Sequence, residues 1–302
     1  MNKRWLNPLA DSVFKRIFGQ EKGIMIEVIN AFIPLDEPVI DIEYLPQELI
    51  AEGPNGKVSI VDVRCIDSKK RNFIFEIQLI HHLSFQERVL YYAAKTYGRQ
   101  LLRSKKYEEL QPVYLLSILD HVFDAGSEEW LHRYSLINEE DFDKKMTGIH
   151  LIFLELGKCR KLSNFNLQNI QERWITFLTE PEKIIAMSKH EIHEYPNLLK
   201  AVELLDESNY TPGQLLAYER YMDGIISWNS TMVESFDNGF EEGMEKGIEK
   251  GMEKGINKGM KEGINQSIFI LQQLKASQKS AEEIAKDFEV SLDTVLALKA
   301  LL

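Results

Sequence analysis

The sequence predicts a mixed α/β fold, a sheet covered by helices, and three observations carry that expectation. Apolar residues at helical spacing open the chain. Two alternating runs, 57–66 and 71–80, are joined by a polar turn and read as a β-hairpin. Two nearly all-apolar runs, Val113–Leu119 and Ile149–Leu156, read as buried strands. Helix, strand and hairpin signals interleaved in this way belong to an α+β or α/β core.

The elements follow in chain order. Val13, Phe14, Ile17 and Phe18 form one helical face, with Asp11 as a plausible N-cap and Gly19 as a stop. Gly23–Phe32 reads as a second helix closed by Pro34, and Val39–Tyr44 as a strand. In the hairpin, Val58, Ile60, Val61 and Val63 mark the first strand, Asp67-Ser68-Lys69-Lys70 the turn, and Arg71–Ile80 the second strand. Leu83–Lys106 reads as one long amphipathic helix, with Leu83, Val89, Leu90, Ala93, Ala94, Tyr97 and Leu101 on its apolar face. From about Asn164 to Ser235 the patterns are helical: Leu167–Leu178, Pro181–Lys189, Asn197–Glu207 and Gly213–Trp228.

A repeat then breaks the pattern. Glycine recurs every four residues from Gly239 to Gly263 in the unit Gly-apolar-charged-charged. Its charged positions exclude a bilayer-embedded Gly-x-x-x-Gly face. As an isolated helix it is poor, because each glycine costs about 1 kcal/mol relative to alanine. It reads as a self-association element or as a spacer. Ser280–Val295 resembles a helix-turn-helix, with Glu289 in the turn and Ser291 capping the second helix; the alternative is a small oligomerisation bundle. The expected organisation is therefore a core over 1–160, a helical annex over 161–235, the repeat over 236–266 and a small helical tail over 267–302.

Composition sets limits on function. The 302 residues carry a formal net charge of −11 with 44% hydrophobic residues, which fits a folded chain and speaks against whole-surface nucleic-acid binding. A local basic groove or a metal-bridged site stays open. Two cysteines cannot build a disulfide framework or a four-cysteine zinc site. With no long apolar span and no apolar leader at the start, the expectation is a cytoplasmic protein without membrane contact. There is no Walker A motif, no Gly-x-Ser-x-Gly and no dinucleotide fingerprint. His190-Glu191-Ile192-His193 lacks the spacing of a zinc helix.

The hairpin carries the chemistry. A lone acid interrupts each apolar run, as Val61-Asp62-Val63 and as Phe75-Glu76-Ile77-Gln78. Side chains alternate faces along a strand, so Glu76 and Gln78 share one face. If Asp62 lies across from Glu76, two carboxylates converge and repel unless a proton or cation sits between them. Hard divalent cations use such oxygen ligands. The alternative is two acids on the solvent face of an exposed hairpin.

Asp62…Glu76-x-Gln78 resembles the active-site signature of the PD-(D/E)xK nuclease superfamily, with Gln in place of the usual Lys. Asn7-Pro8-Leu9-Ala10-Asp11-Ser12-Val13-Phe14-Lys15-Arg16-Ile17-Phe18-Gly19 resembles the opening motif of the Rpn family, recombination-promoting nucleases also described as YhgA-like transposases. Leu90-Tyr91-Tyr92 and the glycine repeat resemble the same family, and the resemblance spans essentially the whole chain. It implies a restriction-endonuclease-like core, a mixed sheet flanked by helices, that cuts DNA with Mg²⁺ or another divalent cation such as Mn²⁺ or Ca²⁺. By motif position, Asp62 and Glu76 would be metal ligands, the backbone carbonyl of Ile77 a third, and Gln78 would occupy the place of the lysine that orients the attacking water. Gln supplies no charge, so that role moves elsewhere or the rate falls. A helix acid, Asp11 or Glu27, would complete the site, with Asp11 preferred.

DNA would approach along a basic strip. Lys95, Arg99 and Arg103 share one helical face after Arg88, and Lys15 would face phosphate from the first helix. The alternative is a solvated helix face. His81-His82 is a possible substrate contact or a surface turn. The sequence thus points to a metal-dependent DNA endonuclease of recombination, mobile elements or phage defence, a homo-oligomer through its C-terminal region. The alternative is a DNA-binding or oligomeric regulator with a degenerate site.

Overall fold

The computed structural model describes residues 4–49, 59–80, 82, 84–101, 106–160, 166–276 and 279–302. They fall into two compact units, Met1–Asn229 and Ser230–Leu302.

The first unit is built on a six-stranded mixed sheet in the order β1-β4-β5-β6-β8-β7. These strands are β1 (Ile42–Tyr44), β4 (Val63–Asp67), β5 (Asn72–Gln78), β6 (Val113–Leu119), β7 (Leu131–Ile137) and β8 (Lys145–Glu155); β2 (Glu48–Leu49) and β3 (Ser59–Ile60) pair separately. The β4–β5 hairpin is antiparallel, and β5, β6 and β8 run parallel. Buried on both faces, β6 is apolar at every position but Ser117, as a central parallel strand should be.

Two cores follow from the alternation along β5. Phe73 and Phe75 point to one face and pack with α1 (Asp11–Gln20), α2 (Lys22–Phe32) and α5 (Ile170–Thr179), through Phe14, Phe18, Met25, Trp174 and Phe177. Ile74 points to the other face and packs with Phe85, Val89 and Ala93 of α3 (Phe85–Gly98). Glu76 and Gln78 continue the α3 side by the same period of two.

Helix α4 (Leu156–Cys159) closes the core, and the annex stretch contains α5, α6 (Pro181–Ile185), α7 (Lys189–His193), α8 (Pro196–Glu203) and the start of α9 (Pro212–Ala276). It grips the segment before α1. Leu6 donates its N–H to Leu205 at 2.8 Å, and Asn7 donates its N–H to the Tyr218 hydroxyl at 3.1 Å. Glu27 accepts from Asn197 at 2.7 Å and from Trp174 at 3.3 Å, so it ties α2 to the annex.

Three expectations change. The long helix ends at Gly98 rather than near Lys106, where Gln100 turns to bond the backbone of Gln111 in both directions. The first hairpin strand is broken at Asp62, because Ser59–Ile60 pair with Glu48–Leu49 while β4 starts at Val63. Strand β7 is additional; as a half-exposed edge strand it carries no apolar alternation for the sequence to reveal.

In the second unit, α10 (Ala281–Asp287) and α11 (Leu292–Lys299) pack their Ile284, Ala285 and Val295 on Ile270 of α9. Ser291 caps its helix as expected, Ser280 caps α10, and Glu289 takes the left-handed turn with φ 52°. The glycine repeat lies inside α9, and a Cβ added at any of its seven glycines would meet open space.

Candidate active site

The hairpin brings the two acids together at the mouth of the sheet. Register pairs Val63 with Phe75, so Asp62 and Glu76 fall opposite each other just beyond the last ladder pair. Freed from the strand, the Asp62 carboxylate turns back and accepts the N–H of Ile77 at 2.8 Å, while Glu76 accepts the N–H of Asp62 at 3.3 Å. Each carboxylate is thus bonded to the other's stretch of backbone. Gln47 holds the Asp62 carbonyl from the other side, at 2.5 Å.

Glu76 is buried and Asp62 half-buried. Glu76 is 6% exposed, and burial together with the Asp62 charge pushes its pKa up to about 8. Asp62 is also raised: burial outweighs the Ile77 N–H and the Lys15 ammonium that favour its charged form.

Lys15 from α1 supplies the nearest cation. Its Nζ lies 2.7 Å from Asp11 and 3.5 Å from Asp62. Burial pulls its pKa down, but the bond to Asp11 and the charges of Asp62 and Asp11 outweigh that and hold it raised. Asp11 makes no N-cap bond; Ala10 takes that position, and Asp11 pairs with Lys15 while its charge acts to raise the pKa of Asp62. Glu27, committed to Trp174 and Asn197, takes no part.

Arg88 from α3 is the second cation, and its charge acts to lower the pKa of Glu76. Its guanidinium donates to the side-chain carbonyl of Gln78, and the Gln78 amide donates to the Ile80 carbonyl. Gln78 therefore holds Arg88 rather than pointing at the carboxylates. Among the described residues the Nε of Arg88 is buried without a hydrogen-bond partner. Two tyrosines complete the surroundings. Tyr221 of α9 is pushed up to about 12 by burial and then by Asp11 and Asp62; Tyr92 of α3 is raised by burial and then by Glu76. Lone aromatics at helical spacing gave no sequence signal for either role, though Tyr92 sits in the Leu90-Tyr91-Tyr92 motif.

The remaining basic strip does not form one surface. Lys95 is 7% exposed, donates to the Leu49 carbonyl at 3.0 Å and lies over the Tyr91 ring, so it is a buried brace and not a phosphate contact. Arg99 follows the last turn of α3 and repels Arg64. Arg103 and His81 lie outside the described residues.

The donor set suits a hard divalent cation. A buried and a half-buried carboxylate lie side by side, each pushed toward the neutral form. Among the described residues no third His, Cys, Asp or Glu side chain joins them. A backbone carbonyl and water would make up the shell, an arrangement usual for Mg²⁺, which binds through one or two carboxylates and keeps several waters. Among the described residues no helix is long and apolar enough to cross a membrane.

A family profile described as PD-(D/E)XK nuclease family transposase matches residues 8–234. No curated protein and no solved structure matches the chain.

Proposed function

We propose that this chain, which belongs to the PD-(D/E)XK nuclease family transposases, is a DNA endonuclease that hydrolyses phosphodiester bonds with a divalent cation, Mg²⁺ first among the candidates. The observation that carries the reading is the interlocked, desolvated pair of Asp62 and Glu76 with Lys15 and Arg88 on either side. Asp62, Glu76 and the carbonyl of Ile77 would hold the cation. When bound, it would offset the charge on the phosphodiester and lower the pKa of an attacking water.

The chain's own residues do the rest. Lys15 supplies the positive charge that Gln78 cannot, and Asp11 keeps its ammonium charged and aimed at Asp62. Gln78 fixes Arg88, whose charge acts to favour the ionised form of Glu76. The mobile-element setting follows from the family's description as transposases.

The C-terminal region is proposed as a homo-oligomer element. Phe240, Met244, Ile248, Met252, Ile256, Met260 and Ile264 are each more than half exposed along α9. The glycines between them each cost about 1 kcal/mol against alanine, yet nothing within the described residues approaches them. Close approach by a second copy gives them a use.

A second reading, a DNA-binding regulator with a degenerate site, is favoured by one observation: both ends of the Gln78 amide are committed. Supercoiled plasmid incubated with the full chain and Mg²⁺, Mn²⁺ or Ca²⁺ separates the two. Nicking or linearisation that Asp62→Ala and Glu76→Ala abolish supports the nuclease. DNA binding without cutting under any of the three supports the regulator.

A further inference from the structure

One cavity shares a wall with the carboxylate site. It has a volume of about 480 Å³ and lies between α1 and the 209–217 segment, within the size range of small-ligand sites. Lys15, the residue 3.5 Å from Asp62, lines it together with Arg16, Gln20, Asn209, Thr211 and Gln214. No carboxylate stands among its lining residues.

Arg16 is the unusual member. Its guanidinium lies over the Tyr210 ring at 4.4 Å, and among the described residues it makes no ion pair and no side-chain hydrogen bond. Stacking uses the flat face of a guanidinium and leaves the N–H groups on its rim free. Such a rim fits two phosphate oxygens side by side. By contrast, the ammonium of neighbouring Lys15 is already shared between Asp11 and Asp62. Arg16 thus provides the uncommitted positive charge of the cavity, held rigid by Tyr210, whose own hydroxyl is anchored to the Leu204 carbonyl at 2.9 Å. Gln214 spends its side-chain oxygen on Thr211 and keeps its amide N–H groups for a ligand.

We infer that this cavity is a phosphate subsite for the nucleic-acid strand next to the scissile bond, with Arg16 as its clamp. The assignment rests on the nuclease reading above, and it gives the annex a part in holding substrate. It also explains how a chain of net charge −11 grips a polyanion: through one built contact beside the reacting phosphate, not through a basic surface.

Binding of a fluorescent DNA duplex to the full chain, in EDTA and again with Ca²⁺, tests it over a range of salt. Loss of one phosphate contact flattens the slope of log K against log salt by about 0.9. Arg16→Gln should show that flattening and bind about tenfold more weakly. Arg16→Lys should keep the slope while losing part of the affinity. Lys144→Gln, an equal charge change on the β7–β8 turn, should leave both within about twofold. Thermal melting of each variant separates a lost contact from a lost fold. An unchanged slope and affinity in Arg16→Gln overturns the subsite and leaves the nuclease reading standing. Lost affinity in Arg16→Gln, with a wild type that never cuts, overturns the nuclease reading and leaves Arg16 only as a phosphate contact for bound DNA. A wild type that binds no DNA overturns both.

Discussion

Asp62 and Glu76 are cross-bonded: Glu76 accepts the backbone N–H of Asp62, and Asp62 accepts the N–H of Ile77, the residue after Glu76. The bonds lock the two carboxylates together at the one place where the hairpin ladder ends. They also set a cost, because two acids side by side, one of them buried, favour a proton or a cation between them.

That cost has a pH signature. Glu76 rises from 4.5 to about 8 on folding. Between those values the folded state keeps a proton that the unfolded chain has released, so its contribution to stability falls as pH rises through the window and levels off above about 8. Urea unfolding in EDTA should show Glu76→Gln gaining on the wild type between pH 5 and pH 8.5, by on the order of 2–4 kcal/mol. A difference that stays constant across this range contradicts the buried pair.

Lys15 is expected to carry the charge that the motif's lysine would supply. Lys15→Met should lower the cleavage rate about 100-fold or more, the usual loss for one electrostatic donor at a reacting phosphate. Lys15→Arg should retain part of it. Cleavage by Lys15→Met at the wild-type rate would remove Lys15 from the mechanism.

Gln78 is expected to resist reversion to the motif. Gln78→Lys removes the acceptor of the Arg88 guanidinium and sets a like charge beside it. The variant should lose on the order of 1–3 kcal/mol of stability and gain no activity. A faster enzyme would mean that Arg88 has no need of Gln78.

Glu27 separates structure from chemistry. It bonds Trp174 and Asn197 across to the annex, so Glu27→Ala should cost on the order of 1–3 kcal/mol in unfolding experiments while cleavage per folded molecule stays within about twofold. A selective loss of cleavage would return Glu27 to the site.

The C-terminal stripe makes an expectation about mass. Ile248→Glu with Ile256→Glu should lower the oligomer to a single chain in light scattering, since both side chains are exposed within one chain and would be buried only in an assembly. An unchanged mass would leave the repeat as a spacer.

The site was legible where it followed from alternation and lone charges, and illegible where a side chain's direction decided. Asp62 and Glu76 stood out because each interrupts an apolar run, and strand β6 coincides with its apolar run, Val113–Leu119. Lys95 misled because a lysine at helical spacing beside Arg99 reads as a solvated stripe; only packing reveals that its stem turns inward to the Leu49 carbonyl. Lys15 was visible as a residue of the opening motif, but its reach to Asp62 joins residues 47 positions apart. Arg16 gave no signal, because only the packing shows that its guanidinium lies over Tyr210 and, among the described residues, makes no ion pair. Asp11 is preferred over Glu27 in the sequence through its place in the opening motif, and the neighbours of the two point the same way: Asp11 pairs with Lys15, while Glu27 bonds Asn197.

The most direct test of the central claim is plasmid cleavage measured together with DNA binding in the same preparations. The account predicts that the wild type nicks or linearises supercoiled DNA with Mg²⁺ or Mn²⁺ and stops in EDTA. Asp62→Ala and Glu76→Ala should each lose at least roughly 1,000-fold in rate, in line with removal of a group on which the reacting centre depends, while binding DNA within a few-fold of wild type. Cutting by either variant at the wild-type rate, or binding without cutting by the wild type under every cation tried, would contradict it.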